Sequence, residues 1–222
     1  LLFPPSWHPS QPYLSLPSLA AFLRHNGVPN VVQWDINIEL LDILLTEKTC
    51  HTFYQKMLDK LRQIESSAPS RHGISFDQEK RQVLMHAAET IPALAKKVEF
   101  AKNTLRSEGF YDLERYIESV NTINDALGVL SALYYPSSMT ALSNDMRYSV
   151  YSSREIFEAL DDEEENIFLN LYKDHILPSI LEFSPTIVGI SITSTSQIIP
   201  GLTLARLIKD RNKDVHITIG GS

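Results

Sequence analysis

The sequence predicts an α/β protein: a Rossmann-like parallel sheet interrupted by a large inserted helical subdomain. Three observations predict it. Residues 186–192 and 215–219 are short apolar, β-branched runs, right for buried strands and too short for stable helices. Between them Gly201, Leu204, Ala205 and Ile208 recur with helical spacing, so the C-terminal stretch is a strand–helix–strand unit. The same order opens the chain, and residues 39–183 between the two units carry only helical periodicities. Strands joined through a helix run parallel with a right-handed crossover. Ligands of such sheets sit beyond the carboxyl ends of the strands, which directs attention to the segments that follow them.

Residues 1–3 read as the end of a first strand. The loop Pro4-Pro5-Ser6-Trp7-His8-Pro9-Ser10-Gln11-Pro12 cannot be helical, since each proline biases its predecessor to extended conformations. Leu16, Leu19, Ala20 and Leu23 then share a helical face, with Ser15 as N-cap, Pro17 in the first turn and Gly27 past the end. Residues 31–36 are the second strand. The first half of the α/β domain therefore spans residues 1–38, the helical insertion 39–183, and the second half 184–222.

Within the insertion, Phe53, Met57, Leu61 and Ile64 form one stripe. Leu84, Ala87, Ala88, Ile91, Leu94, Ala95 and Val98 form another, with Ser75 and Gln78 as a capping box and Pro92 as a kink or division. A third runs through Leu113, Tyr116, Ile117, Val120, Leu127, Leu130 and Tyr134 to Pro136. Residues 137–152 have no period and read as loop. Ser152 and Glu155 cap a short helix, and the acidic run 161–165 precedes a last one carrying Phe168, Leu171, Tyr172 and Ile176.

The net charge of -7 and the lack of any basic patch argue against nucleic acid or anionic membrane as partners. The single cysteine, Cys50, excludes a disulfide framework and fits a reducing cytosol. No apolar run approaches the roughly 20 residues that span a bilayer. A strand end at residues 1–3 and a glycine pair at 220–221 lead to the expectation of a domain from a longer protein.

The hydroxyl-rich turn Thr193-Ser194-Thr195-Ser196-Gln197 either donates hydrogen bonds to a ligand at a helix N-terminus or caps that helix. Gly220-Gly221 either admits a ligand close to the backbone or forms a turn. His8 has no second ligand spaced near it, and Cys50-His51 lacks a metal-binding interval, so no metal ligand is assigned. No nucleophile–base pair stands out, hence no catalytic residue. A receiver domain would need acidic residues after the first strand, where Pro-Pro-Ser-Trp stands. A dinucleotide site would need G-x-G-x-x-G there. A flavin domain usually places its hydroxyl-rich phosphate loop after the first strand, whereas this cluster follows the third.

The segments LLFPPSWHPSQPYLSLPSLAAFLRHNG, VVQWDINIE, PTIVGISITSTSQIIPGLTLARLIK and HITIGGS together resemble the N-terminal cobalamin-binding domain of B12-dependent radical SAM enzymes. The nearest subgroup is that of the anaerobic magnesium-protoporphyrin IX monomethyl ester cyclases, enzymes of tetrapyrrole biosynthesis. The resemblance covers both ends of the chain and little of the insertion. It implies cobalamin over the carboxyl edge of the sheet, with Ser191, Thr193, Ser194, Thr195, Ser196, Gly220, Gly221 and Trp7 as the cofactor-binding residues. Ser191-Ile192-Thr193 and the glycine pair match the elements that touch and accommodate the nucleotide tail. The first loop departs from Asp-x-His-x-x-Gly, which implies cobalamin without a histidine on cobalt. The C-x-x-x-C-x-x-C motif is absent, so the iron–sulfur cluster, S-adenosylmethionine and the cyclase or methyltransferase chemistry would belong to a domain downstream of Ser222. The implied partners are cobalamin, that downstream domain and a second copy of the chain. The alternatives are a cofactor-free Rossmann-like interaction domain and a flavin- or phosphate-binding domain.

Overall fold

The computed structural model describes residues 1–11, 13–66 and 73–221. The chain folds as two compact units, residues 1–40 with 148–222 and residues 41–147.

The first unit holds a four-stranded sheet in the order β2-β1-β5-β6, every neighbouring pair parallel. Its strands are β1 (Leu2–Phe3), β2 (Trp34–Asp35), β5 (Ile187–Ser191) and β6 (His216–Gly220). The helix α1 (Ser15–His25) joins β1 to β2, and α10 (Ile198–Arg211) joins β5 to β6. The chain thus leaves β1 toward one edge of the sheet and β5 toward the other. Right-handed crossovers then put the two helices on opposite faces. Alternating residues of the β5 exit agree: the Ser191 hydroxyl lies 3.0 Å from that of Ser15 in α1, while Ile192 lies against Gly201 of α10. β1 and β5 flank the point where the winding reverses, the position at which open α/β sheets bind ligands.

Helix α1 starts as the sequence predicts, but Ser15 is not its cap. Leu14 occupies that position without a side-chain bond, and the Ser15 hydroxyl turns to Ser191 instead. Gly27 follows the helix at φ 86°, a conformation that favours glycine. In α10 the buried face includes Gly201, Leu204 and Ile208, whereas Ala205 is only half-buried.

The helices α7 (Ser153–Asp161), α8 (Ile167–Leu171) and α9 (Leu177–Glu182) pack on α10. Residues 148–183 therefore belong with the sheet, and the boundary lies between Arg147 and Tyr148 rather than at 183. Hydrophobic periodicity reveals that a helix buries a face; it does not say against what. The Ser152 hydroxyl accepts from the Glu155 N–H, as predicted, and Glu155 returns a bond to the Ser149 N–H. The buried Asn166 caps α8 through the Phe168 N–H.

The second unit contains α3 (Glu47–Ser66), α4 (Ile74–Ala95), α5 (Val98–Leu105), α6 (Leu113–Ser131) and a hairpin of β3 (Ser138–Met139) with β4 (Asn144–Asp145). The remaining helix, α2 (Ile36–Leu44), follows β2 directly. The stripe from Leu84 to Val98 is buried throughout. Ser75 sits inside α4, whose N-terminal flank is Gly73, so the expected capping box does not form. Pro92 lies inside α4, which ends three residues later. The third stripe is correct only in its second half. Leu113 and Ile117 are exposed, and Ser119, Thr122, Ile123 and Ala126 complete the buried face of α6. Small polar residues took core positions there, which a search for apolar residues passes over. The segment 137–152, read as loop, contains the hairpin.

Candidate functional site

The two loops that leave β1 and β5 meet at the carboxyl edge of the sheet, and one side chain ties them together. Gln197 is fully buried. Its amide nitrogen donates to the Pro4 carbonyl at 2.6 Å, and its amide oxygen accepts from both the N–H and the hydroxyl of Thr193, each at 2.9 Å. A buried carboxamide is tolerated only when so satisfied. One turn further, Gly201 lets the same loops close in, because a Cβ there would stand 2.8 Å from Ile192 Cδ1 and 3.4 Å from Pro4 Cγ.

A second buried carboxamide holds the first loop from the β2 side. Asn37, 3% exposed, accepts from the Trp7 N–H at 3.1 Å and donates to the Trp7 carbonyl at 2.9 Å. The Trp7 ring meets Phe3 and Tyr13 edge-on, with centroids 6.1 and 5.4 Å away, and Tyr13 stacks on Phe3 at 5.3 Å. The indole N–H donates to the Gln11 carbonyl. Asp35, at the carboxyl end of β2, accepts from the Ile38 N–H; burial raises its carboxyl above the ordinary value, and bonds from the Ile38 and Asn37 backbone oppose that.

The sequence-predicted residues all lie in this unit, with Trp7 in the loop after β1, Ser191 through Ser196 at the exit of β5, and the glycines at the end of β6. Their chemical roles divide. Ser191 is buried with its hydroxyl on Ser15, Thr193 is consumed by Gln197, and the Ser194 hydroxyl accepts from the Ser196 N–H. Thr195 is exposed, and among the described residues its hydroxyl makes no hydrogen bond. Gly220 and Gly221 are both exposed but not equivalent. A Cβ on Gly220 would meet nothing within 4 Å, whereas one on Gly221 would overlap the Ile192 carbonyl oxygen. Gly221 is thus required by the neighbouring backbone, and Gly220 alone faces open space.

His8 is half-buried in the first loop, and its Nδ1 accepts from the Ser10 N–H at 3.3 Å and lies 2.8 Å from the Ser10 hydroxyl. A neutral ring that accepts at Nδ1 carries its proton on Nε2. No group of three or more His, Cys, Asp or Glu side chains among the described residues is placed to hold a metal ion.

Gln197 and Asn37, which hold the two loops, are not singled out by sequence reasoning. Gln197 closes the hydroxyl-rich turn, yet its partner Pro4 is 193 residues away; Asn37 and Trp7 are 30 apart. The one local signal is the position of each amide just past a strand. No helix among the described residues is long and apolar enough to cross a membrane. No protein-family model, curated protein or solved structure matches this chain.

Proposed function

We propose that this α/β unit is a cobalamin-binding module whose cofactor lies over the carboxyl edge of the sheet, against the loops after β1 and β5 and the end of β6. The observation that carries the reading is the reversal of winding between β1 and β5, with Gly220 open beside it. The loops there are uncharged: no lysine or arginine occurs in residues 1–23 or 174–205, which suits a large, amide-rich macrocycle better than a dianionic flavin phosphate. Gly220 and the Thr195 hydroxyl are the groups positioned to meet the tail, and the Trp7 ring stands in the first loop at the same edge. The resemblance of the two ends of the chain is what supports a radical SAM cyclase or methyltransferase as the enzyme to which such a module belongs.

Titration with hydroxocobalamin, followed by its visible spectrum, tests the proposal. A saturable change supports it. A flat titration favours the second reading, a cofactor-free interaction domain. That reading draws on a specific observation: the hydroxyls of Ser191, Thr193 and Ser194 are already engaged within the protein.

A further inference from the structure

Helix α6 has one face in the core of the helical unit and an apolar stripe outside it. Ser119, Ile123, Ala126 and Leu127 belong to the buried face. About a third of a turn round the helix, Leu113, Ile117 and Val120 recur at i, i+4 and i+7. Leu113 is 70% exposed, Ile117 49%, and Val120 is half-buried. Just before the helix Tyr111 is 86% exposed; its ring and that of Tyr116 both meet Phe110 edge-on, with centroids 5.3 and 5.4 Å away. Along the side of the stripe away from the core run Glu114, Glu118 and Asp125. All three are exposed, and none forms an ion pair among the described residues. From 107 to 146 six carboxylates stand against one cation, Arg115, which lies 3.7 Å from Asp112.

From this arrangement we infer that the exposed face of α6 docks a basic amphipathic helix of a partner protein. The apolar side of that helix lies on Leu113, Ile117 and Val120, and a row of its lysines or arginines meets Glu114, Glu118 and Asp125. Two arguments select this occupant. The face of a helix offers no backbone donor or acceptor, so whatever covers it must satisfy its own peptide groups. A helix does so; an extended peptide would leave its N–H and C=O groups unpaired against leucine and isoleucine. The second argument is charge. A copy of this chain packed antiparallel through the stripe would set the acidic ridge against itself, whereas a cationic edge is drawn to it. From Leu113 to Asp125 the helix rises about 18 Å, so about three turns of a partner cover the site.

The probe is a fluorescein-labelled peptide of leucine and lysine, about 18 residues long and patterned as an amphipathic helix, titrated with the full chain and read by anisotropy. Wild type should bind it, release it as salt rises, and leave a leucine–glutamate peptide of the same pattern unbound. The double variant Leu113→Ser, Ile117→Ser should bind about tenfold or more weakly, since two apolar side chains no longer enter the contact. The pair Glu114→Gln, Glu118→Gln should weaken binding and flatten its salt dependence. Both variants should melt like wild type, because none of these side chains is in the core; if the serine pair does not, the glutamine pair carries the test. Failure of wild type to bind overturns the inference, as does equal binding of the leucine–glutamate peptide. Binding undiminished in the folded variants is adsorption to an acidic surface at large and overturns it too. So would self-association of wild type in sedimentation that the serine pair abolishes, which would give the stripe to a second copy.

Discussion

Gly221 and Gly220 are adjacent glycines with opposite consequences for substitution. A side chain at Gly221 would overlap the Ile192 carbonyl, and backbone cannot be moved cheaply. Gly221→Val should lower stability by about 2 kcal/mol, within the usual range for overpacking, and show it as a lower melting temperature. At Gly220 a side chain meets nothing, so Gly220→Val should melt like wild type and lose only ligand. Thr195→Val keeps the shape and removes the exposed hydroxyl; it should weaken ligand binding by about 1 kcal/mol in the same titration. In the helical unit, burial alone would raise the Asp42 carboxyl, but Arg106 at 2.7 Å and Lys102 at 3.3 Å outweigh it and hold it below the ordinary 3.8. A carboxyl whose folded pKa is depressed adds stability above the unfolded value, and loses it as pH falls through the folded one. The stability difference between wild type and Asp42→Asn should therefore be present at neutral pH and shrink below about pH 4. Because the pair is partly exposed, it should not exceed about 1 kcal/mol. Cys50 gives a simpler readout. Burial, aided by Glu47 and Glu99, pushes its thiol up to about 11, so an aromatic disulfide reagent at pH 8 should react only after denaturation.

Helix α10 shows how two effects of similar size are separated. Gly201→Ala gains about 1 kcal/mol of helix propensity and introduces a Cβ 2.8 Å from Ile192 Cδ1. That carbon is the far end of a flexible side chain, so the variant should stay within about 1 kcal/mol of wild type. Gly201→Val brings two further methyl groups against Ile192 and Pro4, and chemical denaturation should find it about 2 kcal/mol less stable. The C-terminal strand–helix–strand unit is legible in the sequence, since period and length suffice to identify a short β-branched run followed by an apolar stripe; in the N-terminal unit the order is legible but β2 is only Trp34–Asp35 where 31–36 are expected, and Ile36 already belongs to α2. The stripe of α4 was legible for the same reason. The first half of α6 was not, because Ser119 and Thr122 are buried where an apolar period expects Ile or Leu, and Leu113 and Ile117 are exposed. At the site, the placement of the loops and glycines could be read locally. The engagement of Ser191 by Ser15 and of Thr193 by Gln197 could not, since it depends on which side chains the fold brings together. Nor could the difference between the two glycines, which is set by the path of Ile192.

Two compact units in one chain predict two separable foldings. Residues 41–147 carry their own core, with Phe53, Met57, Leu84, Ile91, Leu127 and Leu130 all buried. Expressed alone, that segment should keep its helical circular dichroism and unfold cooperatively; a flat melt would show that it depends on the sheet unit. The sheet unit is the one to which the proposed function belongs, and its winding reverses between β1 and β5, the position at which open α/β sheets take ligands. Equilibrium dialysis of the chain against hydroxocobalamin, wild type beside Gly220→Val, tests that claim most directly. Wild type should show saturable one-to-one retention, lost in the variant while its melting temperature is unchanged. No retention by wild type, or equal retention by both, would contradict it.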